Sequence, residues 1–255
     1  MTLTLRQYLV LIDPSTRHPE REVCAEISRR SPLPVYLVRP ALTLNQESPT
    51  SVTSLWKIDQ ELIAGVIILG GGASPNEIFK WQNDLKYWLT ASGGIMEHSK
   101  PILGICYGHQ LLAQLCGARV SFLWNGETSK GLRELRLCES TLGLNKGEGH
   151  QIVVSHREGV VDTPSRWRTL TQDDQITHSL AHLGRAQAVE AMRHQTKPWW
   201  GFQGHIDATS EFLTNNAIRA TLPQPYAGST LIDNFLHLVS SQAMNDYNIS
   251  ASKLS

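Results

Sequence analysis

A thiol, an imidazole and a carboxylate together can cleave an amide by acyl transfer, and one stretch of this chain sets a thiol where that chemistry needs it. In PILGICYGHQLLA an apolar run ends at Gly104-Ile105-Cys106-Tyr107-Gly108, and helix-like patterning begins at once. A cysteine between glycines at a strand-to-helix turn has the form of a nucleophile elbow, with sulfur in place of the usual hydroxyl. The tight turn holds the nucleophile in a strained conformation, and the glycines let neighbouring chain pass close by. The helix start turns the positive end of its dipole toward the sulfur and favours the thiolate. The backbone N–H of Tyr107 points where an oxyanion forms. A small buried hydrophobe beside incidental glycines is the bland alternative, but free cysteines that merely pack seldom occupy an elbow.

A thiolate nucleophile needs a proton shuttle, and ten histidines compete for the role. His205 stands out because it follows the apolar run KPWWGFQG, which reads as a strand ending at the same sheet edge. Asp207, two residues on, supplies a carboxylate to hold the ring in its working tautomer. His156 also closes a strand-like run, QIVVSH, with Glu158 two residues later, and rivals His205 as the base; His109 falls in the helix after Cys106 and reads as structural. A second oxyanion donor is expected from VIILGGGASP, where Gly70, Gly71 and Gly72 directly follow a buried run. N–H groups on residues without side chains can approach a carbonyl oxygen closely.

The elements that must carry these groups are legible around them. YLVLID, LPVYLV, AGVIILG and PILGIC are short, near-continuous apolar runs of the kind that form parallel strands covered on both faces. Helix-capable stretches at 20–30, roughly 55–62 and 76–97 lie between them, with Pro19 just before the first. Strands alternating with helices predict an α/β fold with a mostly parallel central sheet flanked by helices. After Val120 the rhythm changes: ARVSFL, LRELRLC, QIVVSH, AQAVEAM and KPWWGFQGH are strand candidates without long helices between them, which predicts a small antiparallel extension. Helices are expected over 210–220 and 229–244, the second with Leu231, Phe235, Leu238 and Val239 on one face. No repeat or interdomain linker interrupts the 255 residues, so a single domain is expected, with a C-terminal helical extension around 208–255.

Composition narrows the partners. Lys plus Arg and Asp plus Glu balance at 23 each, so no global field favours nucleic acid or an anionic membrane. The N-terminal apolar run breaks at Asp13, too early for a signal peptide or a membrane span. Cys24, Cys106, Cys116 and Cys138 are widely spaced and form no Cys-x-x-Cys pair, which fits reduced thiols and a cytoplasmic location. His178 and His182 stand four residues apart, but no third ligand accompanies them and no His-Glu-x-x-His, Walker loop or Gly-x-Gly-x-x-Gly occurs. No metal and no cofactor are expected.

Taken together these segments resemble the class I glutamine amidotransferases, the Cys-His-Glu glutaminase family with a flavodoxin-like fold. PILGICYGHQLLA is similar to the family's nucleophile segment, and VIILGGGASP to its Gly-Gly-Pro oxyanion loop, with Gly72 where proline is usual. VVSHREGVV resembles the Ser-His-Gly-Asp segment lining the glutamine pocket; AVEAMRHQTKPWWGFQGHID resembles the closing Gly-Val-Gln-Phe-His-Pro-Glu stretch; LIDNFL is similar to the last helix. The resemblance covers roughly residues 6–244 and keeps every motif in order. It implies Cys106 as nucleophile, His205 as base and acid, Asp207 as the orienting carboxylate, and Gly71, Gly72 and Tyr107 at the oxyanion. It also implies that Gln110, Ser155 and His156 help bind glutamine. The departure is at the third member: Ile206 and Asp207 replace Pro and Glu, and aspartate is one methylene shorter. The stretch after Asp207 is longer than the family minimum and reads as a peripheral helix and loop at a partner surface.

The resemblance implies a glutaminase subunit that passes ammonia to a separate synthetase, since no synthetase domain is evident in the sequence. Two alternatives use the same residues differently: a γ-glutamyl peptide hydrolase that needs no partner, and a catalytically impaired regulatory relative, motivated by Asp207.

Overall fold

A computed structural model describes residues 7–42, 55, 58–98, 100–123, 126–170 and 188–252. Its centre is a seven-stranded sheet made of β1 (Tyr8–Ile12), β2 (Val35–Val38), β3 (Ile63–Ile68), β4 (Ile102–Ile105), β9 (Trp167–Thr169), β10 (Ala191–His194) and β11 (Trp199–Phe202). Across the sheet the strands lie in the order β2-β1-β3-β4-β11-β10-β9. β2, β1, β3, β4 and β11 run parallel, and β10 and β9 continue the sheet antiparallel. The four apolar runs read as doubly covered strands are β2, β1, β3 and β4; the fifth parallel strand, β11, comes from KPWWGFQGH, expected in the antiparallel extension, but pairs parallel with β4.

Alternation along β1 explains the layering. Leu9 and Leu11 face a core completed by α1 (Arg21–Arg30) and the long C-terminal helix α5 (Ala227–Ser252), through Val23, Ile27, Leu231 and Phe235. Val10 and Ile12 face the opposite core, where α2 (Lys80–Thr90) and α3 (Tyr107–Leu115) contribute Leu85, Trp88, Leu111 and Leu112. Near-complete removal of these side chains from water on both faces stabilises the sheet by roughly 1.5–3 kcal/mol per large residue. α5 lies so close to β3 that a Cβ on Gly65 would sit 2.8 Å from Val239 Cγ2. Among the described residues no helix is long and apolar enough to cross a membrane.

Two small antiparallel pairs extend the fold: β5 (Val120–Phe122) with β8 (Glu158–Val160), and β6 (Ser129–Arg136) with β7 (Gly149–His156). The expected helix over 55–62 is instead a short 3-10 turn, Gln60–Leu62. Asp59 accepts from the N–H of Glu61, so the carboxylate caps a turn that passes straight into β3. The helix expected over 76–97 is confined to α2: a turn from Ser74 to Glu77 precedes it, and Ala91 closes it in an extended conformation. The helix expected over 210–220 is α4 (Ser210–Asn215), capped by Thr209, whose hydroxyl accepts from Phe212 N. His178 and His182 lie outside the described residues.

Candidate active site

Adjacent strands deliver the chemistry to one sheet edge. β3, β4 and β11 are neighbours, and their carboxyl ends carry Gly70, Cys106 and, past Phe202, the segment Gln203–Asp207. Ligands of open parallel sheets gather at this edge. Cys106 N donates to Phe202 O at 2.8 Å, so the Cys106 turn and the strand before His205 are stitched together.

Cys106 has φ 50° and ψ −101°, the left-handed side of the map that an L side chain occupies only under constraint. The glycines supply the constraint. A Cβ on Gly104 would stand 2.5 Å from Gly108 C and O, and one on Gly108 would stand 2.2 Å from Ile68 O. Both gaps exclude any side chain, so α3 can start against β3 and β4 only with glycine at these positions. Tyr107 is fully buried, its hydroxyl accepting from Gln82 of α2 at 3.3 Å, which pins the first turn of α3.

The imidazole faces this elbow. A Cβ placed on Gly70 would lie 2.6 Å from His205 Cε1 and 3.4 Å from Cys106 Cβ, so both side chains crowd the same point. His205 Nδ1 donates to Asp207 Oδ1 at 3.2 Å, and both groups are buried. Burial alone would pull the imidazole down. The facing Cys106 sulfur and the Asp207 carboxylate outweigh it and hold the ring up at about 10. Both neighbours thus favour the protonated form of the His205 ring. Its ring is also packed 4.2 Å from Phe212, and Tyr226 donates to His205 O at 2.5 Å while accepting from Val153 N at 3.2 Å. The segment expected to be peripheral thus holds the histidine in place, through residues whose role the sequence did not signal.

A family model described as glutamine amidotransferase class-I matches residues 38–221. The chain belongs to that family. The GMP synthase (glutamine-hydrolyzing) of Mesoplasma florum is 27% identical over 198 residues, covering 77% of this chain and 32% of that protein. A glutamine-hydrolyzing GMP synthase subunit from Methanosphaera stadtmanae is 32% identical over 163 residues, covering 61% of this chain and 71% of that one. This amidotransferase chain thus spans about a third of the length of the first relative. A crystal structure of a glutamine amidotransferase from Thermotoga maritima shares the fold with a TM-score of 0.62 at 19% identity, covering 93% of this chain and 98% of that one.

The remaining expected residues of this amidotransferase differ in their surroundings. Gly71 lies against Pro14, whose Cγ would be 3.1 Å from an added Cβ, whereas nothing lies within 4 Å of one on Gly72. Gly70, ahead of both, is the glycine that abuts Cys106 and His205. β7 crosses the site, with His205 N donating to Val153 O at 2.7 Å. Its last residues diverge: Ser155 Oγ donates to Asn216 Oδ1 at 3.3 Å, while His156 is buried. Burial first, then Arg133 and His205, hold the His156 imidazole well below its ordinary value, so it stays neutral. Gln110 is buried on α3, its Nε2 donating to Glu158 O at 2.8 Å and to Gln203 Oε1 at 3.1 Å. Gln203 Nε2 in turn donates to Cys106 Sγ at 3.6 Å. His109 is buried, its Nε2 2.8 Å from Val189 O, and burial takes it down to about 4.

A second carboxylate stands behind Asp207. Glu20 precedes α1, its N–H donating to Asp13 Oδ2 at 3.0 Å. Burial, then the Asp207 carboxylate, raise Glu20 to about 7. Nothing in the sequence pointed to it, because it lies at the start of α1, far along the chain from Asp207. Asp207 also opens onto a cavity of about 190 Å³ lined by Glu22, Glu26, Arg30, Thr209 and Ser229.

Proposed function

We propose that this chain hydrolyses the side-chain amide of glutamine through a thioester on Cys106 and delivers the ammonia to a separate synthetase. The observation that carries the reading is the Cys106–His205–Asp207 arrangement at neighbouring strand ends. The glutaminase reading is also supported by family membership.

Cys106 Sγ attacks the carboxamide carbon, and the carbonyl electron pair moves onto oxygen. Tyr107 N–H, at the start of α3, and the N–H groups of Gly71 and Gly72 serve the oxyanion. As the tetrahedral species collapses, the C–N bond breaks and His205 Nε2–H gives its proton to the nitrogen, which leaves as ammonia. Neutral His205 then takes a proton from water; the resulting hydroxide attacks the thioester, glutamate leaves, and thiolate and imidazolium are restored. Asp207 keeps Nδ1–H pointed away from the sulfur throughout, so that Nε2 does the proton transfer. His156, neutral and beside His205, and Ser155 line the approach of the glutamine. Gln110 has both amide hydrogens engaged within the protein, which leaves its carbonyl oxygen for a substrate N–H.

The segment carrying Phe212 and Tyr226 belongs to the same working unit, since both residues support His205. A synthetase partner is supported by relatives whose names describe glutamine-hydrolysing synthases, one of them as a subunit. The test is to incubate the pure protein with glutamine, then with γ-glutamyl peptides, and to measure glutamate and ammonia. Release from glutamine, raised by a co-purifying synthetase and absent in Cys106→Ala, supports the reading. Full-rate turnover of peptides without help points to the partner-independent hydrolase. No turnover of either substrate, with Cys106 unreactive toward a glutamine-like electrophile, refutes glutaminase activity and leaves the regulatory relative.

A further inference from the structure

Gln203 is not among the residues that its sequence setting marks for chemistry, yet its amide reaches the nucleophile. It is almost completely buried, its backbone N donates to Glu190 O at 2.8 Å, and its side chain lies between Gln110 and Cys106. The direction of the amides follows from one fixed point. Glu158 O is a main-chain carbonyl and can only accept, so the Gln110 group 2.8 Å away must be its NH2. The second hydrogen of that NH2 faces Gln203 at 3.1 Å, which therefore presents its carbonyl oxygen there. The other end of the Gln203 amide, the NH2, is then left 3.6 Å from Cys106 Sγ. A carbonyl at the start of β8 thus sets which face of an amide the sulfur sees, through two side chains from α3 and the end of β11.

We propose that Gln203 stabilises the Cys106 thiolate by donating an N–H to it, and that Gln110 is the positioning residue that holds Gln203 in the donating orientation. The proposal deepens the reading of Cys106 as nucleophile and rests on it. An N–H aimed at sulfur favours the anion, adding to the helix dipole of α3 and the imidazolium of His205. The relay also protects against the opposite orientation: a flipped Gln203 would turn a carbonyl oxygen toward the thiolate and set Gln110 N–H against N–H. Of Gln110's four hydrogen-bonding positions, the two that donate are occupied in the protein, which suits a residue acting through its neighbour.

The test is the pH dependence of Cys106 alkylation by iodoacetamide in the full chain, read by mass spectrometry of the Cys106 peptide. Gln203→Met keeps the volume and removes the donor. Its alkylation midpoint is expected to move to higher pH by about one unit, the low end for a hydrogen bond to a charged group because the contact to sulfur is long. Gln110→Met is expected to shift the midpoint the same way by less. The double variant is expected to match Gln203→Met alone, because Gln110 acts through Gln203. Unchanged midpoints in both single variants, with unchanged melting temperatures, would overturn the proposal; additive shifts would overturn the relay. Should Gln203→Met fail to fold, Gln110→Met alone still reads the orientation. Alkylation needs no glutamine, so the two readings separate. A protein whose variants shift as expected but which cleaves no glutamine loses only its assigned reaction, and one that cleaves glutamine but shows no shift loses only the relay.

Discussion

Replacing Asp207 with alanine removes the carboxylate that His205 Nδ1 donates to, and the structure sets the size of the effect. The contact is 3.2 Å, longer than the 2.7–2.9 Å typical of charge-assisted bonds, which places it low in the range of about 1.5–3 kcal/mol for hydrogen bonds to charged groups. Screening does little to reduce it, because the side chains are only 6% and 3% exposed. The ring keeps part of its orientation without Asp207, through the Phe212 contact and the Tyr226 bond to its backbone. A fall in kcat of roughly 10- to 30-fold follows, about 1.4–2 kcal/mol. The pH dependence has a definite sign. His205 is raised to about 10, so its proton is present below that pH and is lost as pH rises through it. Asp207 is one cause of the rise, and Cys106 a larger one. In Asp207→Ala the alkaline limb of kcat therefore moves to lower pH, though not as far as a lone buried imidazole would. Asp207→Asn is expected to lose less than His205→Ala. Asp207→Glu has room in the adjoining cavity and is expected to stay within about tenfold of wild type. Steady-state glutamate release across pH is the assay. Full activity in Asp207→Ala, with an unmoved alkaline limb, would refute the role given to this carboxylate.

Three further outcomes test the surroundings. Glu20 is raised from 4.5 to about 7, so its neutral form is preferred by the fold and stability is lost as pH climbs through that range. Glu20→Gln should melt higher than wild type at about pH 8, by an amount worth roughly 1–2 kcal/mol after allowing for partial exposure, and equally near pH 4. Gly108→Ala drives a Cβ to 2.2 Å from a backbone oxygen that cannot yield, and should lower the melting temperature by roughly 6–12 °C or prevent folding. Tyr226→Phe leaves buried Val153 N without its hydroxyl partner, costing about 1–3 kcal/mol in thermal or denaturant unfolding, and should lower kcat more than it raises KM.

Much of the site was legible because the chemistry sits at the ends of strands whose residues are buried on both faces. Continuous apolar runs such as AGVIILG and PILGIC leave little doubt about a parallel sheet, and a cysteine or histidine directly after such a run is placed at the binding edge by topology alone. What escaped the sequence lacks that signature. β8 and β9 are each three residues long, too short for a period to show. Phe212 and Tyr226 lie in a Pro- and polar-rich segment that looked like a surface excursion, and only the fold of the chain back over β7 reveals them on His205. The Gln110–Gln203 relay joins residues 93 apart through amides, which have no pattern of their own. Its one hint is that Gln203 stands two residues before His205.

The most direct measurement is the mass of the intact protein quenched in acid within its first turnovers of glutamine, with the adduct located by peptide mapping. A glutamyl group on Cys106, absent from Cys24, Cys116 and Cys138 and from the Cys106→Ala protein, is the expected result. Glutamate released at full rate by Cys106→Ala, or a glutamyl adduct on another cysteine, would contradict it.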